Sequence, residues 1–216
     1  MTSAKKLLVT GANGFVGLAL CADALRRGFS VVGAVRGDSR LPTGVQQVVV
    51  GAIDENTNWE SALRGVDVVI HLAARVHVMK ESATDPLTEF RRVNVAGTEQ
   101  LARSAAAGGV TRFVYVSSIK VNGEATTGGH KFSEQDFPSP QDSYGVSKWE
   151  AEQALHRIAK ETGMAIVIVR PSLVYGSGVK GNFAQLLSVL RLGLPLPLAS
   201  VRNRRSLIYI DNLVDA

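Results

Sequence analysis

The chain has 216 residues, of which 45% are hydrophobic and 20% charged, and its formal net charge is +5. This composition is that of a globular protein of one ordinary domain, or one domain and a piece of another, and no apolar run approaches the roughly 20 residues that cross a bilayer. The single cysteine, Cys21, excludes an internal disulfide and a CxxC metal site, and the scattered basic residues argue against nucleic-acid binding. We therefore expect a cytoplasmic protein that binds neither membranes, nor nucleic acids, nor metals.

Apolar runs alternate with segments of helical periodicity along the chain. Six strands are predicted, in the runs KKLLVT, SVVGAVR, VQQVVVG, DVVIHLAA, TRFVYVSS and AIVIVRP. Helices are predicted at 15–27, in the run NWESALRG, at 84–107 and at 143–162. The strands are apolar along their whole length, which is typical of strands with helices on both faces. The sequence therefore predicts an α/β fold, a Rossmann-like doubly wound parallel sheet.

One long polar stretch interrupts this alternation. Residues 123–142 read GEATTGGHKFSEQDFPSPQD and are rich in Gly, Pro and Ser. Loops of this length in a compact domain commonly serve a site. We predict an exposed loop at the rim of a binding site.

The run TGANGFVG joins the first strand to the first helix and carries Gly11, Gly14 and Gly17. A Gly-rich turn between a strand and a helix is the setting of a dinucleotide site. Gly11 takes a backbone conformation closed to other residues, and Gly14 lets a pyrophosphate approach the helix N-terminus, where free N–H groups favour anions. Gly17 lets the helix lie close to the strand. Within this βα alternation, the turn predicts an NAD(P) cofactor.

The end of the second strand selects between the two forms of the cofactor. NAD sites usually place an acid there for the ribose 2′-hydroxyl. This chain instead has Arg36, whose guanidinium suits a 2′-phosphate. We therefore favour NADP(H), with the alternative that Arg36 stacks on adenine while Asp38 contacts the ribose.

The run SYGVSK places Tyr144 and Lys148 one helical turn apart. A neighbouring ammonium, together with a cationic nicotinamide ring, would lower the pKa of the phenol and make it a general acid or base near neutral pH. Ser117 and Ser118 end the fifth strand, where a hydroxyl is placed to bind a reacting oxygen. The spacing alone also fits a tyrosine packed beside a surface lysine.

Taken together, these motifs resemble the extended short-chain dehydrogenase/reductase family, in its nucleotide-sugar epimerase and reductase branch. The motifs follow the family's order and cover nearly the whole chain: TGANGFVG at 10–17, HLAA at 71–74, NVAGT at 94–98, VSSIKVNG at 116–123, YGVSK at 144–148, RPSLVYG at 170–176 and RRSLIYIDN at 204–212. The resemblance implies an NAD(P)-binding domain at 1–175 and a partial nucleotide-sugar-binding segment at 176–216.

The resemblance also implies roles for individual residues. Tyr144 would transfer the proton, with Lys148 as its partner and Ser118, chosen over Ser117, as the polarising hydroxyl. Besides the three glycines, Arg36, Tyr144 and Lys148, the cofactor would be bound by Phe15, Val16, Ile53, Asp54, Leu72, Ala73, Ala74, Asn94 and Pro171. Besides Ser118, the substrate would be bound by Lys120, Asn182 and Arg205.

Three departures from the family pattern matter. Related sugar dehydratases carry an Asp-Glu pair after the catalytic serine or threonine, and this chain has Ile119 and Lys120 there, which argues against a dehydratase. Ala52 stands where many relatives have an acid for adenine. The chain stops at Ala216, so we expect a truncated C-terminal substrate lobe.

Within the branch, the runs HLAARVHVM and VSSIKVNGE are most similar to bacterial reductases of UDP-4-keto-6-deoxy-N-acetylhexosamines, which yield UDP-N-acetylquinovosamine for polysaccharide or O-antigen precursors. This reduction is the favoured function. A UDP-glucose or UDP-N-acetylglucosamine 4-epimerase with retained NAD is the alternative, because it shares every catalytic residue. A non-catalytic NADP(H)-binding sensor is an alternative of another class. The resemblance further implies a homodimer, and His71 is interpreted as a packed side chain.

Overall fold

The computed structural model describes residues 4–76, 85–179, 181–193 and 203–216, without the side chain of Asn182. It divides into two compact units, Met1–Arg170 and Pro171–Ala216. Each unit has its own sheet, with six strands in the first and two in the second.

The first unit is built on a parallel six-stranded sheet with the strand order β3-β2-β1-β4-β5-β6. Its strands are β1 (Lys6–Thr10), β2 (Ser30–Val35), β3 (Gln46–Val49), β4 (Val68–His71), β5 (Arg112–Val116) and β6 (Ala165–Val169). Its α-helices are α1 (Phe15–Arg26), α2 (Glu60–Leu63), α3 (Pro86–Arg91), α4 (Gly97–Ala107) and α5 (Ser143–Thr162). The six predicted strands and the Rossmann-like fold are confirmed.

The two faces of this sheet bury separate hydrophobic clusters. In β1, Leu8 packs in one cluster with Phe113 and Leu155, whereas its neighbours Leu7 and Val9 pack in the other. Successive side chains of a strand point to opposite faces, so a wholly apolar strand needs cover on both. This is why the strands lack the polar alternation of a sheet with one solvated face.

The predicted helix at 84–107 is interrupted in the structure. It begins at Pro86, after the N-cap Asp85, and a π-helical turn, Arg92–Ala96, separates α3 from α4. A π turn holds one more residue than an α turn, and periodicity alone does not reveal it. The wider turn buries Asn94, and Gly97 follows where a Cβ would lie 2.6 Å from Ile53 Cγ2.

The loop prediction at 123–142 holds, since these residues form no helix or strand and most are exposed. Before the loop, a short 3₁₀ turn at Ile119–Val121 follows β5. The loop ends at Asp142, whose carboxylate accepts a hydrogen bond from Gly145 N and caps α5.

The second unit contains β7 (Leu173–Tyr175), α6 (Asn182–Arg191), β8 (Leu207–Tyr209) and α7 (Ile210–Asp215). None of these elements was predicted from the sequence. β7 pairs with β8 and not with the six-stranded sheet. The chain divides into its compact units after Arg170, so β7 belongs to the second unit. The boundary between an NAD(P)-binding domain and a nucleotide-sugar-binding segment after residue 175 stays a prediction.

Cys21 lies on the buried face of α1, and burial raises the pKa of its thiol to about 11, which disfavours the reactive thiolate. Within the described ranges, no three His, Cys, Asp or Glu side chains are grouped to hold a metal. None of the described helices combines the length and apolar character of a membrane span.

Candidate active site

Many of the predicted site residues of the first unit follow the carboxyl ends of the parallel strands, and these ends meet at one edge of the sheet. The strand order reverses between β1 and β4, and ligands of such sheets bind in the crevice at this reversal. The glycine turn follows β1, Arg36 follows β2, Ile53 and Asp54 lie beyond β3, residues 72–74 follow β4, and Ser118 lies beyond β5.

The glycine turn has the geometry that a phosphate cradle needs. Gly11 has a φ of +63°, and a Cβ there would lie 3.0 Å from Ala73 N. Gly14 is the N-cap of α1 in an extended conformation, and no side chain caps this helix. The N–H groups of its first turn have no intrahelical partner and favour an anion. The residues present therefore fit a dinucleotide pyrophosphate.

The loop after β2 has two exposed arginines, Arg36 and Arg40, and one fixed carboxylate. Asp38 accepts a hydrogen bond from Gln47 Nε2 at 2.7 Å, and Ser39 Oγ accepts one from Asn13 Nδ2 in the glycine turn at 2.9 Å. The loop thus holds Asp38 in place and is tied to the turn that would bind the pyrophosphate.

The residues beyond β3 are engaged within the protein. Ile53 is buried, and Asp54 accepts a hydrogen bond from Asn56 N at 2.9 Å. Asp54 Oδ2 also lies 3.5 Å from the guanidinium of Arg92. Ala52 is exposed.

Thr10 and His71 join the ends of β1 and β4. Thr10 Oγ1 accepts hydrogen bonds from Leu72 N at 3.2 Å and Ala73 N at 3.1 Å, so its own proton goes to His71 Nδ1, 2.6 Å away. The Nε2 proton of the histidine then goes to Thr98 Oγ1 at 3.0 Å. This network fixes the backbone of the predicted dinucleotide groove, and His71 is the packed histidine that the sequence predicts.

We predict that this histidine makes folding stability depend on acidity. Burial, with a smaller contribution from Lys148, lowers the pKa of His71 to about 3, so the folded protein holds it neutral while the unfolded chain protonates it below its ordinary value of 6.5. The contribution is present above pH 6.5 and is lost as the pH falls toward 3, by about 1.4 kcal/mol per pH unit. Urea unfolding of wild type and His71→Asn at pH 6 and 4 measures it, because the variant lacks this slope.

The exposed His156 provides the control for that measurement. His156→Asn is expected to keep the wild-type difference between the two pH values. Equal pH dependence in wild type and His71→Asn would contradict the neutral, buried state of His71.

Asn94 connects the π turn to the loop after β4 and to α5. Its Oδ1 accepts from Arg75 N at 2.8 Å, and its Nδ2 donates to Arg75 O at 3.0 Å and to Ser147 Oγ at 2.9 Å. Ser147 Oγ donates in turn to the Tyr144 carbonyl oxygen at 2.8 Å. Asn94 therefore orients the first turn of the helix that carries Tyr144 and Lys148.

The Ser118 hydroxyl lies close enough to the Tyr144 phenol to lower its pKa, against the larger and opposite effect of burial. The Tyr144 ring packs edge-on against Phe90, with ring centroids 6.1 Å apart. Ser117 is buried and donates to Glu152, away from this pair. Of the two candidate serines, Ser118 is the one that contacts the tyrosine.

Lys148 is 2% exposed and lies behind the tyrosine. Its Nζ donates to the Val116 carbonyl oxygen at 2.9 Å and lies 4.5 Å from the centre of the Tyr115 ring and 5.9 Å from that of Tyr144. Burial lowers the pKa of Lys148 to about 7, although the charge of Glu152 opposes this shift.

The protein groups alone shift the pKa of Tyr144 in the direction opposite to the one that the sequence predicts. Burial, followed by the charge of Asp142, raises the pKa of the phenol to about 12, against the lowering effect of the Ser118 hydrogen bond. The prediction assumed an ammonium with its full charge beside the phenol, together with a cationic nicotinamide ring. The buried Lys148, with a pKa near 7, supplies only part of that charge at neutral pH.

A buried polar network supports this arrangement from behind. Glu152 is fully buried, accepts from Ser117 Oγ, and forms a bidentate pair with Arg170, whose Nη2 lies 2.6 Å from Oε2. Arg170 Nη1 also donates to Asn122 Oδ1 at 3.1 Å. The network joins α5 to the ends of β5 and β6.

Three predicted site residues belong to the second unit. Pro171 is its first residue, Asn182 begins α6, and Arg205 is exposed before β8. Arg202, which the sequence groups with Arg204 and Arg205, lies outside the described residues. The roles of these residues remain predictions.

Sequence reasoning missed several residues that shape the site. Asp142, directly before a helix start, carries an N-cap signal that could have been recognised. Glu152 lies one turn after Lys148 on the same helix face, which is also a visible signal. Thr10, Tyr115 and Ser147 carry no signal in the sequence, because their roles depend on contacts between distant elements.

Comparison with protein families and with known proteins gives consistent results. The model of the NAD dependent epimerase/dehydratase family matches residues 7–216. A UDP-glucose 4-epimerase of Vibrio cholerae is 46% identical over 213 residues, which are 98% of this chain and 65% of that protein. The chain thus spans a little under two thirds of the length of this relative.

Solved structures agree with these relatives. MoeE5 in complex with UDP-glucose and NAD superposes with a TM-score of 0.80 at 30% identity, over 97% of this chain and 69% of that one. The UDP-glucuronic acid 4-epimerase of Bacillus cereus, in complex with UDP-glucuronic acid and NAD, gives a TM-score of 0.82 at 29% identity, over 97% of this chain and 70% of that one.

Proposed function

Since the chain belongs to the NAD dependent epimerase/dehydratase family, we propose that it is a UDP-sugar 4-epimerase that keeps its NAD bound. The observation that carries the proposal is the grouping of Ser118 and Tyr144, with the Lys148 ammonium 5.9 Å from the centre of the Tyr144 ring, at the sheet edge that also holds the glycine turn. The names of the Vibrio cholerae and Bacillus cereus relatives favour this function over the 4-keto sugar reduction that the sequence had put first.

The catalytic residues have separate roles in this proposal. Ser118 binds the 4-oxygen of the sugar and orients its proton toward the phenol. Tyr144 takes that proton while C4 is oxidised and returns it when C4 is reduced on the opposite face. Lys148 stabilises the phenolate, and Asn94 orients the helix turn that carries both residues.

The glycine turn and the loop after β2 would bind the cofactor, and the choice between NAD and NADP(H) stays a prediction. When bound, NAD would accept the C4 hydride in its oxidised form and return it from its reduced form, and the positive charge of the oxidised ring would favour the phenolate. Gly11, Gly14 and Gly17 would hold its pyrophosphate, and Asp38, fixed by Gln47, would bind the adenosine ribose. The preference for NADP(H) remains a prediction that depends on Arg36.

A 4-keto sugar reductase is the second candidate, and the exposed Arg36 favours it, because a cofactor consumed as a reductant is often NADPH. The two functions share Ser118, Tyr144 and Lys148. They differ in whether the cofactor leaves after one hydride transfer. Dehydration is disfavoured, because Lys120 stands where dehydratases carry an acid and is itself bound to Asp142 and Glu124.

The function is tested on the purified protein without added cofactor. The nucleotide released by denaturation is identified as NAD or NADP by mass spectrometry. The protein is then incubated with UDP-glucose, UDP-galactose and their N-acetyl forms, and the products are followed by NMR. An epimerase interconverts a 4-epimeric pair over many turnovers with no net change in NADH absorbance.

Other results would contradict the proposal. A reductase leaves all four sugars unchanged and consumes one NADPH for each 4-keto sugar reduced. A non-catalytic sensor, the alternative of another class, binds the nucleotide and turns over no sugar in either assay.

The remaining parts of the proposal depend on the resemblance. Asn182 and Arg205 would bind the substrate diphosphate, and Lys120 was expected to contact the sugar. A homodimer through α4 and α5 stays a prediction, and of the large apolar side chains that the described structure exposes, none lies on these helices. We propose the cytoplasm as the location, because the single cysteine is buried and needs no oxidising compartment.

A further inference from the structure

An ion pair lies beside Tyr144, the proposed catalytic tyrosine. Lys120, in the 3₁₀ turn after Ser118, forms an ion pair with Asp142 Oδ2, and its Nζ also lies 3.3 Å from Glu124 Oε1. The other oxygen of Asp142 accepts from Gly145 N at 2.6 Å. One carboxylate therefore caps α5 and binds an ammonium at the same time, two residues before Tyr144.

We propose that Lys120 is a positioning residue for proton transfer at Tyr144, acting through Asp142, whose charge it balances and whose carboxylate it holds on the cap of α5. This inference depends on the proposed function, which makes Tyr144 the proton-transferring group. It differs from the role expected from the family, in which Lys120 contacts the substrate directly.

The electrostatics support this indirect role. After burial, the charge of Asp142 is the main cause that raises the pKa of Tyr144. The hydrogen bond to Asp142 is in turn the main cause that raises the pKa of Lys120. Without the ammonium, less of the negative charge of Asp142 is balanced near the phenol, and the phenol proton becomes harder to remove.

Other groups around Tyr144 come from every element packed against it. Lys148 lies behind Tyr144 on α5, and Tyr115 lies on β5. Phe90 lies on α3, and the guanidinium of Arg75, from the loop after β4, lies 5.5 Å from the centre of the Phe90 ring. Glu124 reaches the tyrosine only through Lys120. Changes at Lys120 and Asp142 leave these groups in place.

Four variants separate charge balance from substrate contact. Lys120→Met exposes Tyr144 to the charge of Asp142. Asp142→Asn removes that charge and keeps a good helix cap. The double variant removes both charges, and Lys120→Arg restores the ion pair. Glu124→Gln, which removes the more exposed partner of Lys120, is the matched control.

Two readouts report the phenol. The first is the pH profile of kcat/KM for epimerisation. The second is fluorine NMR of protein with 3-fluorotyrosine at position 144, which follows the ionisation of this one phenol without substrate or turnover. We expect Lys120→Met to move both midpoints upward by about half a pH unit, the size of a unit charge several ångströms away near solvent.

Asp142→Asn is expected to move both midpoints downward, and the double variant and Lys120→Arg are expected to lie close to wild type, as is Glu124→Gln. A Lys120→Met protein with an unchanged profile and a raised KM would overturn the inference and make Lys120 a substrate contact. Shifts of equal sign in Lys120→Met and Asp142→Asn would also overturn it. If the wild type turns over no sugar, the proposed function fails, and the fluorine titration still decides whether the pair controls the phenol.

Discussion

Tyr144→Phe is expected to lower kcat by a factor on the order of 10²–10⁴, the usual contribution of a general acid or base. The substitution removes the hydroxyl that would transfer the proton and keeps the ring that packs on Phe90. The fold and the affinity for NAD therefore remain close to those of wild type. Steady-state epimerisation measures the first effect, and fluorescence titration with NADH measures the second.

Tyr115→Phe is the matched control for this substitution. It removes a buried phenol hydroxyl that has no hydrogen-bond partner among the described residues and keeps the ring face that the Lys148 ammonium approaches. We expect its turnover to stay within a few-fold of wild type. Unchanged turnover in Tyr144→Phe would remove Tyr144 from the mechanism, and with it the reason for placing the reaction at this end of α5.

Substitutions at two neighbouring glycines are expected to have different consequences. A Cβ at Gly17 would overlap the Gly11 carbonyl oxygen and lie 2.8 Å from Ala12 Cα, so both neighbours are backbone. We expect Gly17→Ala to cost about 3 kcal/mol of folding stability, or about 10 °C in Tm. A Cβ at Gly14 has one tight contact, 3.1 Å from the Gly11 carbonyl oxygen. Gly14→Ala is therefore expected to fold with a cost below about 1 kcal/mol.

The main effect of Gly14→Ala is expected on the cofactor, because its methyl group stands at the helix end where the pyrophosphate would lie. The loss of one hydrogen bond to that anion corresponds to at least about tenfold weaker NADH binding. Gly108→Ala is the control, since its Cβ meets a carbonyl oxygen at 3.3 Å at the far end of α4. Thermal unfolding and NADH titration measure both effects. Wild-type NADH affinity in Gly14→Ala would contradict the assignment of this turn.

The sheet was predictable from the sequence because its signals are local. Strands that are apolar on both faces, such as β2 and β5, and helix stops such as Gly28 and Gly163 define the alternation before any contact is known. The candidate site follows from the same logic, since Gly14, Ser118 and Tyr144 all lie just past strand ends or at a helix start. Position in the element marked them as candidates, and the family resemblance selected Ser118 over Ser117 and gave Tyr144 its role.

What the sequence did not reveal depends on contacts between distant elements. The π turn around Asn94 exists because a buried amide bonds both to Arg75 and to α5, and the helical period of the segment does not record this. In the protein alone the pKa of Tyr144 is raised, chiefly by burial of the phenol, and burial is a tertiary property that the sequence does not record. The elements of the second unit were missed because its strands, β7 and β8, have only three residues each.

The buried carboxylate of Glu152 helps to select a single placement of α5 on the sheet during folding. Its partners, Ser117 and Arg170, lie 35 and 18 residues away in sequence, on segments that flank β5 and β6. If α5 slid or rotated by one residue during folding, the carboxylate would be left in the apolar interior without either partner, at a cost of several kcal/mol. Misaligned packing of α5 is therefore unstable. The fixed placement of Tyr144 and Lys148 thus depends on a residue that does not contact the substrate.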